Sequence, residues 1–201
     1  MGFEDLQIVK SLADFVKVLN QLFTITAHPA TGTDDGYHLS TSILYNQRDY
    51  VEIGNRANFA TQGGYIRFPN VTIPPGVTIL SAKARFKAYS TQSAAVAVRI
   101  KAVNEDNPSA PSTASEINST AKTTAYVEWN PETWTQDEWY ESPDFTTVIQ
   151  EIVNRPGWSS GNAMILYLGN NATTFPNCRD YYTYEVSSGI YKPELIIEYT
   201  P

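Results

Sequence analysis

The sequence predicts an all-β fold: a jelly-roll-type β-sandwich with one covering helix, preceded by an N-terminal amphipathic helix. Three observations carry that expectation. Short stretches in which apolar and polar residues alternate recur along the chain, divided by turns rich in Gly, Pro, Asn and Ser. One stretch in the body of the chain has helical period instead: Phe145, Val148, Ile149, Ile152 and Val153 fall at i, i+3, i+4, i+7 and i+8. The length, 201 residues, suits one domain plus an extension. A domain of that size buries roughly 70% of its unfolded surface, so it needs neither disulfide nor metal to fold.

Residues 1–25 read as the N-terminal helix. Ile8, Leu12, Phe15, Leu19 and Leu22 alternate spacings of four and three, a coiled-coil seam, and Val9, Val16 and Phe23 widen it on one flank. So few heptads are marginal alone. The wide apolar face needs a partner: copies of itself as a trimeric bundle, another protein, or its own β-domain. Residues 26–36 read as a linker and 37–201 as the sandwich.

Strands are expected over 37–45, 50–54 and 64–68, before a Pro74-Pro75-Gly76 turn. The clearest pair follows. In 80–89, Leu80, Ala82, Ala84, Phe86 and Ala88 share one face; in 95–103, Val96, Val98, Ile100 and Ala102 do. Pairing these two as a hairpin sets Lys83, Arg85, Lys87, Arg99 and Lys101 on one exposed face, with Glu194, Glu198 or an acidic partner as counter-charge. A polar loop over 104–123, a strand over 124–129 and a second loop lead to the helix. Asp144 is placed to accept the free amides of its first turn, and Pro156-Gly157 stops it. Gln150 and Glu151 are expected to face outward. Strands over 163–168, 180–186 and 194–199 close the domain, for roughly nine in all by alternation.

Net charge is −7, which disfavours nucleic acid and anionic membrane as partners. Charged residues are 17%, below the usual quarter, and Thr, Ser, Asn and Tyr fill the difference, as in proteins that work outside cells. No apolar run approaches the ~20 residues that span a bilayer. Met1 leads into Gly-Phe-Glu-Asp, acidic where a secretory signal would be basic. The single cysteine, Cys178, excludes an intramolecular disulfide framework. As a nucleophile it would need a base, and His28 and His38 are far away in sequence; an inert strand or loop cysteine is the simpler expectation.

Asn104, Glu105 and Asp106 are calcium-ligand candidates, clustered oxygens without the order of an EF-hand loop; otherwise no cofactor is expected. Glu132, Asp137, Glu138 and Glu141 surround Trp134, Trp139 and Tyr140, but scattered loop carboxylates do not make a hydrolase, and no GxSxG, HExxH, CxxC or phosphate-loop pattern occurs. The chain is expected not to be an enzyme. Trp134, Trp139, Tyr140, Tyr181 and Tyr191 are the candidate ligand-binding residues, since amphipathic aromatics suit wet recognition surfaces. Alternation turns Tyr182 and Tyr184 inward if Tyr181 points out.

Read in order, IPPGVTILSAKARFKAY, the NEDN loop, VEWNPETW and SPDFTTVIQEIVNRPGWSSGNAMIL resemble a β-sandwich module recurrent in secreted bacterial multidomain proteins and some phage-encoded structural proteins. The resemblance covers about residues 35–199 and leaves the N-terminal helix outside. It implies jelly-roll character and a non-enzymatic role beside adhesion or carbohydrate-binding domains. Where such modules carry an acidic, glycine-rich turn before the last strand, this chain has CRDYYTYEVSSGIYKPELIIEYT. The expected function is a structural or attachment component of a phage-like virion, a decoration, fibre or tail-associated protein. Its partners would be other virion proteins or itself, as a homo-oligomer with a trimer favoured. The alternative is a carbohydrate-binding or adhesion module, extracellular or at the cell surface, that meets a host glycan.

Overall fold

The structure, a computed structural model, describes residues 21–56 and 62–201. The seam positions Ile8, Val9, Leu12, Phe15, Val16 and Leu19 lie outside the described residues. The fold is all-β, and every paired strand is antiparallel to its neighbour. One sheet is ordered β1 (Phe23–Ala27), β12 (Glu194–Thr200), β6 (Thr78–Lys87), β9 (Trp139–Glu141). The second runs β3 (Leu44–Asn46), β2 (Asp35–His38), β5 (Gly63–Phe68), β10 (Met164–Asn170), β7 (Val98–Ala102), β8 (Val127–Trp129). A third pair, β4 (Tyr50–Gly54) with β11 (Cys178–Tyr182), abuts the end of β6 through a bridge from Ala88 to Tyr181.

The inner faces meet in one core. Ala82, Ala84 and Phe86 of β6 and Leu195 and Ile197 of β12 face Val98, Ile100, Ala102, Leu166 and Leu168 of the second sheet. Burying each of the larger side chains is worth ~1.5–3 kcal/mol. The covering helix α2 (Thr146–Val153) touches β6 and β7, one strand from each sheet, and so closes the gap between them. Its stripe, Phe145, Val148, Ile149, Ile152 and Val153, is wholly buried. Asp144 anchors the start: one carboxylate oxygen accepts the Thr146 amide (3.0 Å) and the other the Ala82 amide of β6 (3.1 Å).

Several expectations are corrected. Phe23 does not extend a helix; it opens β1, pairs with Tyr199 and stacks on that ring at 5.3 Å. Its period is two because the β12 edge offers a ladder, and Leu22 beside it is exposed. The supposed linker over 26–36 contains the end of β1 and the start of β2, joined by a turn in which Asp34 accepts the Ala30 and Thr31 amides (3.0 Å each) and pairs with Arg67 (2.9 Å). The two clearest strands do not form a hairpin. β6 and β7 lie in different sheets and face each other across the core, which satisfies the same alternation without side-by-side pairing. Their basic residues therefore separate. Arg85 meets Glu194 (2.9 Å), Lys83 and Arg85 lie 3.6 Å from Glu141, and Arg99 meets Glu128 (3.0 Å).

Leu80 is turned out because the ladder to β12 slips between Glu198 and Tyr199, which brings Ile79 inward instead. Gln150 and Glu151 do not simply face water. Gln150 exchanges bonds with the Ile79 amide (2.8 Å) and the Val77 carbonyl (3.0 Å), while Glu151 accepts the Thr124 and Ala125 amides (2.8 Å each). The loop over 104–123 holds a short helix, α1 (Ala114–Ser119), opened by a Thr113–Glu116 capping box. Ile117 on α1 packs with Tyr65, Val103 and Ile165 as a small second core on the outer side of the second sheet.

Candidate functional site

Parity along the strands decides which aromatics reach the surface. On β11, Tyr181 faces the core and Tyr182, paired with Tyr50 of β4, faces out. On β9, Tyr140 lies opposite Phe86 on the inner side, while Trp139 lies opposite Lys87 on the outer side. Past the end of β6, Tyr89 shares the parity of Lys87 and is fixed by its amide bond to the Asp180 carbonyl (2.8 Å).

These rings touch in series, the first of them through Tyr37, which belongs to the core. Tyr45 and Tyr37 are 5.0 Å apart between centroids, Tyr37 and Tyr50 6.3 Å, and Tyr50 and Tyr89 4.9 Å. Tyr89 meets Tyr182 edge-on at 5.1 Å, and Tyr182 meets Tyr191 at 5.2 Å. The Lys87 ammonium then lies 4.7 Å from the Tyr191 ring and 5.8 Å from Trp139, over which Arg85 also sits at 5.1 Å. At the far end Arg48 stands 5.1 Å over Tyr45. Tyr37 is buried; the other members are half-buried. Asp137, in a left-handed turn at φ 68° that aspartate tolerates, accepts the Tyr182 hydroxyl at 2.9 Å. The result is a belt of aromatic faces and hydroxyl tips with cations at both ends.

Of the five aromatics singled out from the sequence, Trp139 and Tyr191 belong to this belt. Trp134 and Tyr181 are corrected to core residues, both fully buried, Tyr181 against Phe86 at 4.9 Å. Tyr140 is half-buried, stacked on Trp134 at 5.2 Å, and its hydroxyl accepts the Thr135 amide. Sequence reasoning missed Tyr37, Tyr45, Tyr50, Tyr89 and the outward turn of Tyr182; their only sequence signal is tyrosine abundance, because they come from four separate stretches.

Beside the belt, on the same face of the β4–β11 pair, lies a buried polar cluster. Glu52 and Asp180 are register partners, and Arg56 bridges them at 2.8 and 2.5 Å. Asp180 also accepts from Gln92 (2.9 Å) and Ser90 (3.2 Å). Burial pushes the Glu52 carboxyl up to about 7 against the pull of Arg56, and raises Asp180 for the same reason. Cys178 is buried here, accepts from Arg56 and Gln92, and has its thiol pushed up to about 12 chiefly by burial, the reverse of an activated nucleophile. Asp35, at the start of β2, is fully buried; one oxygen accepts the Tyr184 amide (3.0 Å), and burial lifts its carboxyl to about 8.

Among the described residues, no group of three or more His, Cys, Asp or Glu side chains could hold a metal. The calcium candidates Asn104 and Asp106 are both engaged by the Arg155 guanidinium, at 2.6 Å for Asp106, and Glu105 is exposed. Glu132, Asp137, Glu138 and Glu141 are all exposed, and Glu141 faces Lys83 and Arg85. Neither a family model nor a curated protein matches the chain.

Proposed function

We propose that the domain is a non-enzymatic attachment module, a jelly-roll-type sandwich of the kind displayed on a phage-like particle, whose aromatic belt contacts a surface glycan. The observation that supports this reading is the run of half-buried rings Tyr50, Tyr89, Tyr182 and Tyr191 and on to Trp139, which Tyr45 joins through the buried Tyr37. Each ring offers an apolar face with a polar tip, the pairing that suits sugar rings, and each is held by its neighbours at little entropy cost on binding. An extended belt suits a polymer better than a small molecule, which prefers a deep cavity. In this reading the N-terminal seam anchors the module, with a trimer as the favoured assembly.

The test is a glycan array followed by affinity electrophoresis in polysaccharide gels. Retardation by a polysaccharide, lost in Tyr191→Ala and Trp139→Ala but kept in Leu80→Ala, is expected. Absence of retardation by every polysaccharide would remove the glycan from the reading.

A further inference from the structure

A second feature lies on the outer face of the second sheet. A cleft of about 210 Å³ opens there beside β7 and β10. Tyr167 of β10 lies along the sheet because the next pair on its face of the ladder, Gly169 and Gly63, carries no side chains. A Cβ on Gly63 would meet the Tyr167 hydroxyl at 2.5 Å, and one on Gly169 would meet the ring at 2.7 Å. The ring is fixed from one side by His38, whose Nε2 is 2.9 Å from the Tyr167 hydroxyl, and from the other by the Lys122 ammonium 4.9 Å over its centre.

Three cations line this cleft: Arg99 and Lys101 from β7, and Lys122, which a bridge to Val103 brings alongside. That is three of the chain's 14 basic residues around one small space, in a protein of net charge −7. Elsewhere four arginines are met by carboxylates: Arg56 by Glu52 and Asp180, Arg67 by Asp34, Arg85 by Glu194, Arg155 by Asp106. Among the described residues Lys101 and Lys122 form no ion pair, and the Arg99–Glu128 pair is half-exposed, hence weak and readily exchanged. Lys122 donates to the Ile117 and Thr120 carbonyls (2.6 Å each), which holds its ammonium in place without neutralising it. Burial first, and Lys101 second, work against its charge and bring it down to about 8, with Glu105 pulling the other way. Two lysines that line one shallow cleft and repel each other, with Glu105 too weak a counter-charge to offset burial, are a cost that an anion would remove.

We propose that this cleft binds an oxoanion, held by Lys101, Lys122 and Arg99: a sulfate, a phosphate, or the acidic group of a sugar. Ammonium groups supply point charge and the guanidinium a planar fork, the combination that suits a small oxygen-bearing anion. The volume is below that of pockets for drug-sized ligands, which fits a single acidic group. The site is independent of the aromatic belt.

The experiment is calorimetric titration of the full chain at fixed low ionic strength. The probes are sodium sulfate, sodium phosphate, a sulfated oligosaccharide and its unsulfated counterpart. Saturable one-site binding of an anionic probe is expected, weakened at least tenfold by Lys101→Glu and left unchanged by Lys83→Gln on the other sheet. Lys101 sits 5.5 Å over the Tyr126 ring, and Lys101→Gln serves as a milder second variant, with melting curves confirming both folds. Free sulfate or phosphate binding as well as the sulfated sugar marks a small-ion site; much tighter binding of the sulfated sugar marks an acidic glycan, and both uphold the proposal. It is overturned if no anionic probe gives saturable heat, if Lys83→Gln weakens binding as much as Lys101→Glu, or if the unsulfated sugar binds equally well.

Discussion

The aromatic side chains on the inner and outer sides of β6, β9 and β11 are put to opposite uses. Inside, Phe86 is packed by Trp129 at 5.5 Å, Trp134 at 6.3 Å and Tyr181 at 4.9 Å, and all four are buried. Outside, Tyr182, one position past Tyr181, lines the surface with Tyr89, just beyond β6, and Trp139, opposite Lys87. Composition does not separate the two sets; a single step of strand parity does. The inner set contributes cohesion, and the outer set contributes a surface for which the core has no need.

That contrast is broken most severely at its centre. Phe86→Ala should cost ~3–5 kcal/mol, because it removes the ring on which three others pack and the surrounding sheet relaxes only in part. Urea unfolding measures it. A cost no larger than that of an outer substitution would mean that Phe86 is not the keystone of the inner set.

A second effect sharpens the comparison, since Glu52 and Asp180 lie on the belt's face yet are buried. Asp35 is lifted to about 8 and Glu52 to about 7, above the ~4 of an unfolded carboxyl. Between about pH 4 and 8 the folded state therefore binds more protons than the unfolded one, so stability falls as pH rises through that window. Below it the trend reverses, because Asp144, which starts α2, is held under its ordinary value by the Thr146 and Ala82 amides, and its contribution is lost on protonation. Urea midpoints at pH 5 and pH 8 check the sign: the midpoint should be higher at pH 5. Asp35→Asn should flatten much of the slope, and a slope of opposite sign would show these carboxyls to be charged in the fold.

What the sequence made legible follows the same line between local and non-local information. The α2 stripe is local, and all five of its residues are buried as the period requires. The alternation of 95–103 is local too, and Val96, Val98, Ile100 and Ala102 are all core residues. The Thr113–Glu116 capping box is equally readable, though a polar, proline-containing stretch hides the short helix it opens. Alternation states that a face is buried, not against what, so β6 and β7 look like hairpin partners when they are opposed across the core. The slip at Leu80 depends on β12, more than a hundred residues away, and leaves no mark in β6 itself. The belt is the extreme case. Its tyrosines meet only once three sheets are assembled, and Tyr181 and Tyr182 exchange roles with the register of β11.

The smallest expected effect is the most discriminating. Tyr182→Phe keeps the ring between Tyr89 and Tyr191 and removes only the hydroxyl's bonds to Asp137 and Gln136, both exposed residues. Water replaces those bonds at either end, so stability should stay within about 0.5 kcal/mol, as at ordinary surface sites. Tyr182→Ala instead removes two ring contacts, each worth ~0.5–1.5 kcal/mol, and cuts the belt in two. If the belt recognises sugar through ring faces, retention in a polysaccharide gel should survive Tyr182→Phe with less than a threefold change and fail in Tyr182→Ala. Loss of retention in both would make the hydroxyl the recognising group. Retention unchanged in both, with only stability lowered in Tyr182→Ala, would reduce the outer set to a second, half-buried core and remove the functional difference between the two faces.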